Sequence, residues 1–260
     1  LVLKIISIII SMVNIQHHNL RLRTWININK TALEHNYKQF RQLLQPHCQL
    51  MAVTKSNAYG HGLIDYSQAI QALGADWIGV DSLVEAVKLR QNKITVPILV
   101  LGYTFPEMVE QALKYDISLM MSSFDSLQEL VELNNAQKLK IHLKFDTGMS
   151  RQGWFPKQAN QVLDFIKDKL PQVIIEGVCT HLAGAKTPDH PQSTQEQLVR
   201  FEQVLAVVKK YGLSVRRHVS ASSGAIVYPQ AHYDMIRVGI GLYGLWPSVA
   251  VESAFAGRQW

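Results

Sequence analysis

The sequence has few of the features that define several classes of protein. Only two cysteines, Cys48 and Cys179, occur among 260 residues, and each lies inside an apolar run. Two such residues are better explained as small core side chains than as a disulfide or a metal site. This usage suits a reducing compartment, so the sequence predicts a cytoplasmic protein.

A run long enough to span a membrane is also missing. The most apolar stretch is Leu1–Val13, which is too short to cross a bilayer. The polar residues 14–18 that follow it offer no small-residue cleavage site of the kind that ends a signal peptide. We therefore interpret residues 1–20 as a poorly ordered leader and expect no membrane attachment.

The net charge of +6 does not come from a basic stripe. Pairs of basic residues, such as Arg21 with Arg23 and Lys209 with Lys210, lie far apart along the chain, and no aromatic residues are interleaved with them. A solvated basic surface explains this distribution. No nucleic-acid partner is expected.

What the chain does contain is a large apolar fraction, 47% of its residues, enough for a barrel-sized domain. From Gln49 almost to the C-terminus, short apolar runs alternate with segments of helical periodicity at Leu83–Arg90, Ser126–Leu133 and Gln195–Tyr211. The alternation predicts a parallel α/β fold, and eight strand–helix units predict a (β/α)8 barrel. The predicted strands are Leu50–Thr54, Trp77–Val80, Ile98–Leu101, Ile117–Met121, Ile141–Phe145, Ile174–Thr180, Val215–Ala221 and Met235–Ile240.

One extra N-terminal strand is predicted outside the barrel, at Trp25–Asn29, where apolar and polar residues alternate. Such alternation indicates a strand with one solvent-exposed face, unlike the strands of a barrel, which are buried on both faces. A helix should follow it, opened by Thr31 with Glu34 three residues on, which is the spacing of a capping box. Residues 21–248 are thus predicted to form the barrel domain together with this strand.

Lys55 follows the first predicted barrel strand and precedes a glycine-bearing turn, in the segment AVTKSNAYGHG of residues 52–62. A lysine amine that is partly desolvated at a strand end becomes a useful nucleophile, and pyridoxal phosphate is held as a Schiff base on such a lysine. A lone lysine at a strand end is more often a solvated charge, so both interpretations stay open. Tyr59 is placed to reach the phosphate of that cofactor.

The fifth predicted strand ends in a second group of charged residues. In barrels of this kind the reactive groups lie at the C-terminal ends of strands. Lys144 and Asp146 stand two apart and face the same side, and Arg151 can return from the following turn. Because a buried lysine needs a counter-charge or a chemical modification, an ion pair between Lys144 and Asp146 is one interpretation.

His181 ends the sixth predicted strand, in the sequence Cys-Thr-His-Leu-Ala. Its ring is suited to stack on a flat pyridine ring or to orient a neighbour, although a lone histidine here is more often a hydrogen-bonded core residue. No other histidine, cysteine or acidic residue lies at ligand spacing from it. We therefore predict no metal site.

Residues 239–244 match the pattern G-x-G-x-x-G, but the match does not indicate a dinucleotide site. Such a site must open a helix in a βαβ unit, whereas Pro247 follows closely here. Loops after the seventh and eighth strands of barrels commonly bind a phosphate. We therefore predict that Ser222, Gly239 and the amide of Ile240 bind a phosphate group.

Arg237 lies in the eighth predicted strand. A guanidinium beside a pyridine nitrogen cannot give up its proton, so it would leave that nitrogen unprotonated and make the ring a weaker electron sink. This arrangement favours a simple proton exchange at Cα. A surface arginine or one paired in the core is the other interpretation.

The segments around Lys55, Arg151 and Arg237 closely resemble those of the alanine racemases, and the similarity extends from about Arg21 to Ser248. The resemblance implies a pyridoxal-phosphate enzyme that interconverts L- and D-alanine for cell-wall precursors. It implies Lys55 as the Schiff-base lysine and as the base on the D-alanine face. With it, we predict catalytic roles for Lys55, Arg151 and His181.

The resemblance also implies a carbamylated Lys144 that holds Arg151 against the cofactor and the substrate carboxylate. In one departure from the family, Ala221 stands where many members have an asparagine before the phosphate-binding serine. Members of this kind continue into a C-terminal β-domain that carries a catalytic tyrosine and completes the partner's site in a homodimer. Residues 249–260 correspond to the start of the linker to that domain, so we expect a truncated form.

A racemase needs acid–base groups on both faces of Cα, because one base alone returns the proton to the side it left. Two alternatives to alanine racemization therefore stay open. One is a pyridoxal-phosphate-binding barrel without racemase activity, as in cofactor homeostasis. The other is a racemase for a different amino acid, such as serine or lysine.

Overall fold

A computed structural model describes residues 26–133 and 138–255, together with the backbone of residues 16–17 and 20–21. Its central feature is a sheet of eight parallel strands, each of which begins within one residue of its predicted start. The strands are β1 Gln49–Val53, β2 Trp77–Val80, β3 Ile98–Val100, β4 Ser118–Met121, β5 Lys140–Lys144, β6 Ile174–Cys179, β7 Arg216–His218 and β8 Met235–Val238.

The sheet curls into a barrel with a single seam. Its strands are hydrogen-bonded in the order β8, β1, β2, β3, β4, β5, β6 and β7. Between β7 and β8 there is no continuous ladder, but the amide of Asp234 donates to Arg217 O at 3.1 Å and the amide of Arg237 donates to Ser220 O at 2.9 Å. The predicted (β/α)8 barrel is confirmed.

Helices cover the outside of the barrel, and the three helices predicted by periodicity are all present. Several short 3-10 turns connect the elements, among them Ile240–Tyr243 after β8. The α-helices are α1 Lys30–Gln42, α2 Leu63–Ala72, α3 Leu83–Gln91, α4 Val109–Lys114, α5 Phe124–Leu133, α6 Ala159–Lys169, α7 Gln192–Lys210, α8 Ser222–Val227 and α9 Val249–Phe255.

Side chains of the strands alternate between two apolar clusters. Leu50 and Ala52 of β1 belong to a large cluster that they form with the surrounding helices. Met51 between them belongs to a small cluster that fills part of the barrel interior. Cys48 and Cys179 are both buried and free, as predicted. The barrel interior also holds polar residues, and one of them, Arg237, lies at the floor of the site described below.

The extra N-terminal strand is not present in the described residues. Trp25 lies outside them, and residues 26–29 are in no strand. A strand exists only with a hydrogen-bonded neighbour, and no described segment pairs with these residues. The cap of α1 also differs from the prediction. The N-cap is Asn29, whose side chain accepts from Ala32 N at 3.0 Å, whereas Thr31 lies inside the helix and Glu34 pairs with Lys38.

The predicted leader over residues 1–20 lies mostly outside the described residues. In its neighbourhood Gln16–His17 and Leu20–Arg21 form a two-residue antiparallel ladder. At the other end, residues 249–255 of the predicted linker form α9, and residues 256–260 lie outside the described part. No helix within the described ranges is long and apolar enough to cross a membrane.

The carboxylate of Asp234 closes the barrel seam, and its loss should weaken the fold in a pH-dependent way. It accepts from the amide of Arg217 at 2.8 Å and binds the guanidinium through both oxygens at 2.7 Å. Burial opposes its ionisation, but the bonds from Arg217 hold the pKa of Asp234 below its ordinary value of 3.8. A depressed carboxylate pKa stabilises the fold above the ordinary value, and this contribution is lost as the pH falls through the folded-state pKa.

We therefore expect Asp234→Asn to lower the free energy of unfolding by about 1 kcal/mol at pH 7, because the pair is partly solvent-exposed. The difference from the unsubstituted chain should shrink as the pH falls from about 5 through the folded-state pKa. Urea unfolding at pH 7 and pH 3 measures both values, with exposed Asp168→Asn as a surface control. A difference of equal size at the two pH values would contradict this account.

Candidate active site

A cavity of about 570 Å³ opens at the C-terminal ends of the barrel strands. Parallel strands end at the same rim, so residues that are distant in sequence meet there. Every residue to which the sequence assigned a catalytic, cofactor or modification role lines this one cavity: Lys55, Tyr59, Lys144, Arg151, His181, Ser222, Arg237, Gly239 and Ile240.

A larger groove of about 970 Å³ lies on another part of the surface. It is lined by Gln49 and Arg216, the first residues of β1 and β7, and by Lys209 near the end of α7. It therefore opens at the N-terminal ends of the strands. In barrels of this kind the reactive groups lie at the opposite, C-terminal ends. We assign the chemistry to the smaller cavity.

Lys55 begins a helical turn of left-handed conformation. The four residues Ser56 to Tyr59 have φ between 52° and 56°, a region that costs a residue with a side chain roughly 1–2 kcal/mol. Contacts to the turn offset this cost. The amide of Asn57 donates to Glu85 Oε1 at 3.1 Å, and Asn57 Oδ1 accepts from Leu63 N at 2.9 Å. The backbone next to the lysine is thus held in an unusual shape.

Asp81, which sequence reasoning missed, lies beside this lysine. Its Oδ1 is 3.2 Å from Lys55 Nζ, and both side chains are partly exposed, so solvent screens the pair. The amide of Asp81 donates to Glu85 Oε2 at 3.0 Å, and Glu85 also closes the capping box of α3 with Ser82. One glutamate therefore ties the ends of β1 and β2 together. Inspecting the end of each strand would have found Asp81.

The far end of the cavity is lined by hydroxyl groups and glycine backbone. A Cβ added at Gly239 would lie 2.5 Å from Tyr59 Oη, so glycine is needed there. Ser222 Oγ accepts from the amides of Gly239 at 3.3 Å and Gly241 at 3.2 Å. Both lone pairs of Ser222 are then occupied, and its hydroxyl hydrogen is left to donate into the cavity. Burial raises the pKa of Tyr59, so that hydroxyl is a donor too.

The ion pair suggested for Lys144 and Asp146 is not formed. Asp146 Oδ1 accepts from the amides of Gly148 and Met149 at 2.8 Å, and Oδ2 accepts from the amide of Arg151 at 2.9 Å. Although burial opposes it, these amides hold the pKa of Asp146 below its ordinary value. The carboxylate therefore shapes the loop that carries Arg151. Its hydrogen bonds go to backbone amides two to five residues further along the chain and not to Lys144.

Lys144 is left as a buried amine among cations. Burial, with added repulsion from Arg151 and Arg237, lowers the pKa of Lys144 to about 8. The described residues place no carboxylate within ion-pair distance of its Nζ. A substantial fraction of such an amine is neutral close to physiological pH, and a neutral amine is nucleophilic.

His181 is neutral at physiological pH. Burial lowers the pKa of its imidazole to about 3, and the charges of Arg237 and Arg151 contribute to the shift. Its backbone carbonyl accepts from Gln197 Nε2 at 3.0 Å, which fixes the loop after β6. A neutral aromatic ring on the cavity wall suits contact with a flat ligand better than proton transfer.

Arg237 is buried at the floor of the cavity, and four of its five N–H donors are already used. Nη1 donates to Nδ1 and to O of His218, both at 2.7 Å. Nη2 donates to Thr180 O at 2.8 Å and Val219 O at 3.0 Å. Within the described residues Nε–H has no partner, so it is the donor that remains for a ligand. Burial lowers the pKa of Arg237, but a guanidinium starts high enough to stay charged.

The fold and the cavity define a class of protein: a (β/α)8 barrel with a lysine-centred polar site at the C-terminal ends of its strands. The family described as "Alanine racemase, N-terminal domain" matches residues 28–247. That match covers most of the chain. The protein belongs to the alanine racemase family, and the described barrel is its N-terminal domain.

Individual relatives agree with this assignment. The alanine racemase of Nostoc sp. is 37% identical in sequence over 89% of this chain. That of Synechocystis sp. is 39% identical over 88% of this chain. A crystal structure of alanine racemase from Bacillus anthracis with bound L-Ala-P superposes with a TM-score of 0.82 at 28% identity, over 88% of this chain and 60% of that one. The alanine racemase of a D-cycloserine-producing Streptomyces lavendulae gives 0.79 at 32% identity, over 85% and 59%. The chain spans 61% and 62% of the two curated relatives.

Replacement of Glu85 should loosen the turn that carries Lys55. A glutamine has one acceptor oxygen where Glu85 uses two, so Glu85→Gln must release the amide of Asn57 or that of Asp81. We expect faster hydrogen exchange in residues 55–62 and a loss of about 1–2 kcal/mol in the free energy of unfolding. Exchange mass spectrometry measures the first effect, with exposed Glu132→Gln as the matched control. Unchanged exchange in the turn would refute this role of Glu85.

Proposed function

We propose that this chain is the cofactor-binding barrel of a pyridoxal-phosphate-dependent alanine racemase, with Lys55 as the covalent anchor. The observation that carries the proposal is the convergence of Lys55, the hydroxyls of Tyr59 and Ser222, and the one remaining donor of Arg237 on a single cavity. Membership in the alanine racemase family supports the same assignment.

The residues of the cavity fit pyridoxal phosphate. Tyr59 Oη can lie against the backbone of Gly239 only because no Cβ is present there, and Ser222, which accepts from the amide of Gly239, offers a hydroxyl hydrogen beside it. These groups, with the amide of Ile240, would hold the phosphate. Arg237 Nε–H is suited to donate to the ring nitrogen, which accepts when it is unprotonated, and the neutral His181 ring would contact the cofactor ring.

The proposed roles of the other polar residues follow from their charge. Arg151 is a cation on the cavity wall whose loop is held by Asp146, which suits binding of an amino-acid carboxylate. Lys144, with its pKa near 8, is the residue proposed for carbamylation. Its neutral amine would attack carbon dioxide at carbon and lose a proton, and the resulting anion would pair with Arg151.

Proton transfer at Cα is assigned to Lys55. When bound, pyridoxal phosphate would withdraw electrons from the amino acid and acidify its Cα–H bond. Lys55 Nζ, which lies 3.2 Å from Asp81 Oδ1, would take up or return that proton on one face.

Inversion needs a second group on the opposite face. Tyr243 is unsuitable because it is buried and its hydroxyl donates to Val53 O at 3.2 Å. Tyr59 is proposed for the phosphate and stays protonated. We propose that the second group comes from outside the described residues, either from further chain or from a second subunit of a homodimer. A cytoplasmic location and supply of D-alanine for peptidoglycan belong to the same proposal.

Lys55→Ala should abolish covalent binding of the cofactor. The unsubstituted chain mixed with pyridoxal phosphate should develop the absorbance band of lysine-bound cofactor, because Lys55 Nζ is the proposed nucleophile. Borohydride reduction and peptide mass spectrometry should locate the cofactor on Lys55. Lys88→Ala, on the exposed side of α3, is the matched control. Modification of another lysine in the unsubstituted chain would overturn the proposal.

A single base predicts exchange without inversion. If Lys55 acts alone, the loaded 260-residue chain in deuterium oxide should exchange Cα hydrogen of D-alanine faster than that of L-alanine, with configuration retained. Nuclear magnetic resonance follows the exchange, and circular dichroism follows racemization. Racemization at a rate comparable with exchange would show that the 260 residues, in one subunit or two, supply the second group, contrary to the expectation that Lys55 acts alone.

A further inference from the structure

A chain of polar side chains runs through the interior of the barrel, from Arg237 through His218 and His142 to Glu176. His218 Nδ1 lies 2.7 Å from Arg237 Nη1, and His218 Nε2 lies 2.8 Å from His142 Nδ1. His142 Nε2 faces Glu176 Oε2 at 3.5 Å. Both imidazoles are fully buried. We call these four residues the buried histidine chain.

Arg237 determines the direction of every hydrogen bond in the buried histidine chain. A guanidinium only donates, so Nδ1 of His218 must accept and its hydrogen must be on Nε2. That hydrogen donates to His142 Nδ1, which leaves the hydrogen of His142 on Nε2, directed at the carboxylate. Any other arrangement sets two donors against each other at 2.7 or 2.8 Å. Burial lowers the pKa of both rings, which keeps them neutral, as this pattern requires.

The local structure around Glu176 is built to bring its carboxylate to this position. The register between β5 and β6 shifts so that Ile141 faces Ile175 but His142 faces Gly177, and Glu176 is the extra residue of a β-bulge. A Cβ at Gly177 would collide with the ring of His142. Ser118 donates to Glu176 Oε2 at 2.6 Å. Both the bulge and Gly177 are needed to place His142 against Glu176.

The charge of Arg237 makes this remote carboxylate important. Within the described residues no carboxylate lies within ion-pair distance of its guanidinium, whose partners are one imidazole and three backbone carbonyls. Glu176 is the carboxylate that faces the last hydrogen of the donor–acceptor sequence that starts at Arg237, with Oε2 3.5 Å from His142 Nε2 and outside hydrogen-bond geometry. Arg216 also approaches Glu176, at 3.6 Å, and lies over the Trp77 ring, which closes that end of the barrel.

We propose that Glu176 and His142 are positioning residues that hold the ring of His218 in the orientation in which its Nδ1 accepts from Arg237, and thereby aim Nε–H of Arg237 into the cavity. This inference rests on the proposed function for its consequence, because the aimed donor is the one assigned to the ring nitrogen of pyridoxal phosphate. The tautomer pattern itself does not depend on the cofactor. Neither residue touches the cavity, so both act through Arg237.

The first test is made on the cofactor-free, ¹⁵N-labelled chain. Long-range ¹H–¹⁵N correlation spectra, with each ring assigned through the backbone resonances of its own histidine, report which ring nitrogen carries hydrogen. We expect both His142 and His218 to be neutral with hydrogen on Nε2. Hydrogen on Nδ1 of either ring would overturn the proposal, and this measurement needs no variant that has to fold.

The second test removes the carboxylate charge. In Glu176→Gln we expect the ring nitrogen signals to change at His142 and also at His218, which Glu176 does not contact. Asp116→Asn is the matched control, because it removes one carboxylate charge from the residues preceding β4, where Asp116 pairs with Lys140. A change confined to the ring nitrogen signals of His142 would show that the buried histidine chain does not couple Glu176 to His218. That result would overturn the proposal.

The third test concerns the cofactor. We expect Glu176→Gln to weaken binding of pyridoxal phosphate by about tenfold, as loss of an outer-shell partner does at other sites, while Asp116→Asn leaves it unchanged. Equal affinity in Glu176→Gln would overturn the positioning role. An unsubstituted chain that binds no cofactor would instead contradict the proposed function, and the tautomer measurement would still decide the buried histidine chain.

Discussion

The guanidinium of Arg237 sets the conditions for the polar part of the barrel interior, because a permanent charge is buried there without a carboxylate beside it among the described residues. Its charge is stabilised by three backbone carbonyls and by a neutral imidazole. The carbonyls of His218 and Val219 at the end of β7 and of Thr180 after β6 converge on it where the chain leaves the strands. The histidine must be neutral, and its tautomer is imposed by the arginine. The polar interior thus follows from one buried cation.

Two carboxylates organise the rim of the cavity by accepting hydrogen bonds from backbone amides. Glu85 binds amides beside Lys55 and in the loop after β2, and Asp146 binds three amides of the loop that carries Arg151. In both cases the acidic residue shapes the loop and leaves the functional cation of that loop without full neutralisation. This division explains why Lys144, close to Asp146 in sequence, has no ion-pair partner among the described residues and a lowered pKa.

The family relationship and the geometry support each other at different levels. The match over residues 28–247 establishes the family, and the cavity gathers the side chains that the proposed chemistry would need. The relatives are longer than this chain, which spans 61% of the one from Nostoc sp.. The barrel accounts for cofactor binding and for proton transfer on one face of the substrate. Activity of the whole protein depends on what supplies the other face.

The sequence by itself determined the barrel and most of the polar residues that its cavity gathers, with Asp81 the exception. Buried strands give continuous apolar runs, and Lys55 and His181 stand at strand ends, where position along the chain translates directly into position on the rim. Only the tertiary structure decided how polar groups pair. Asp146 binds amides and not the lysine two residues away, and Glu176 reaches His142 through a bulge. The physical reason is that hydrogen-bond partners are chosen by distance and direction in space, which periodicity along a chain does not record.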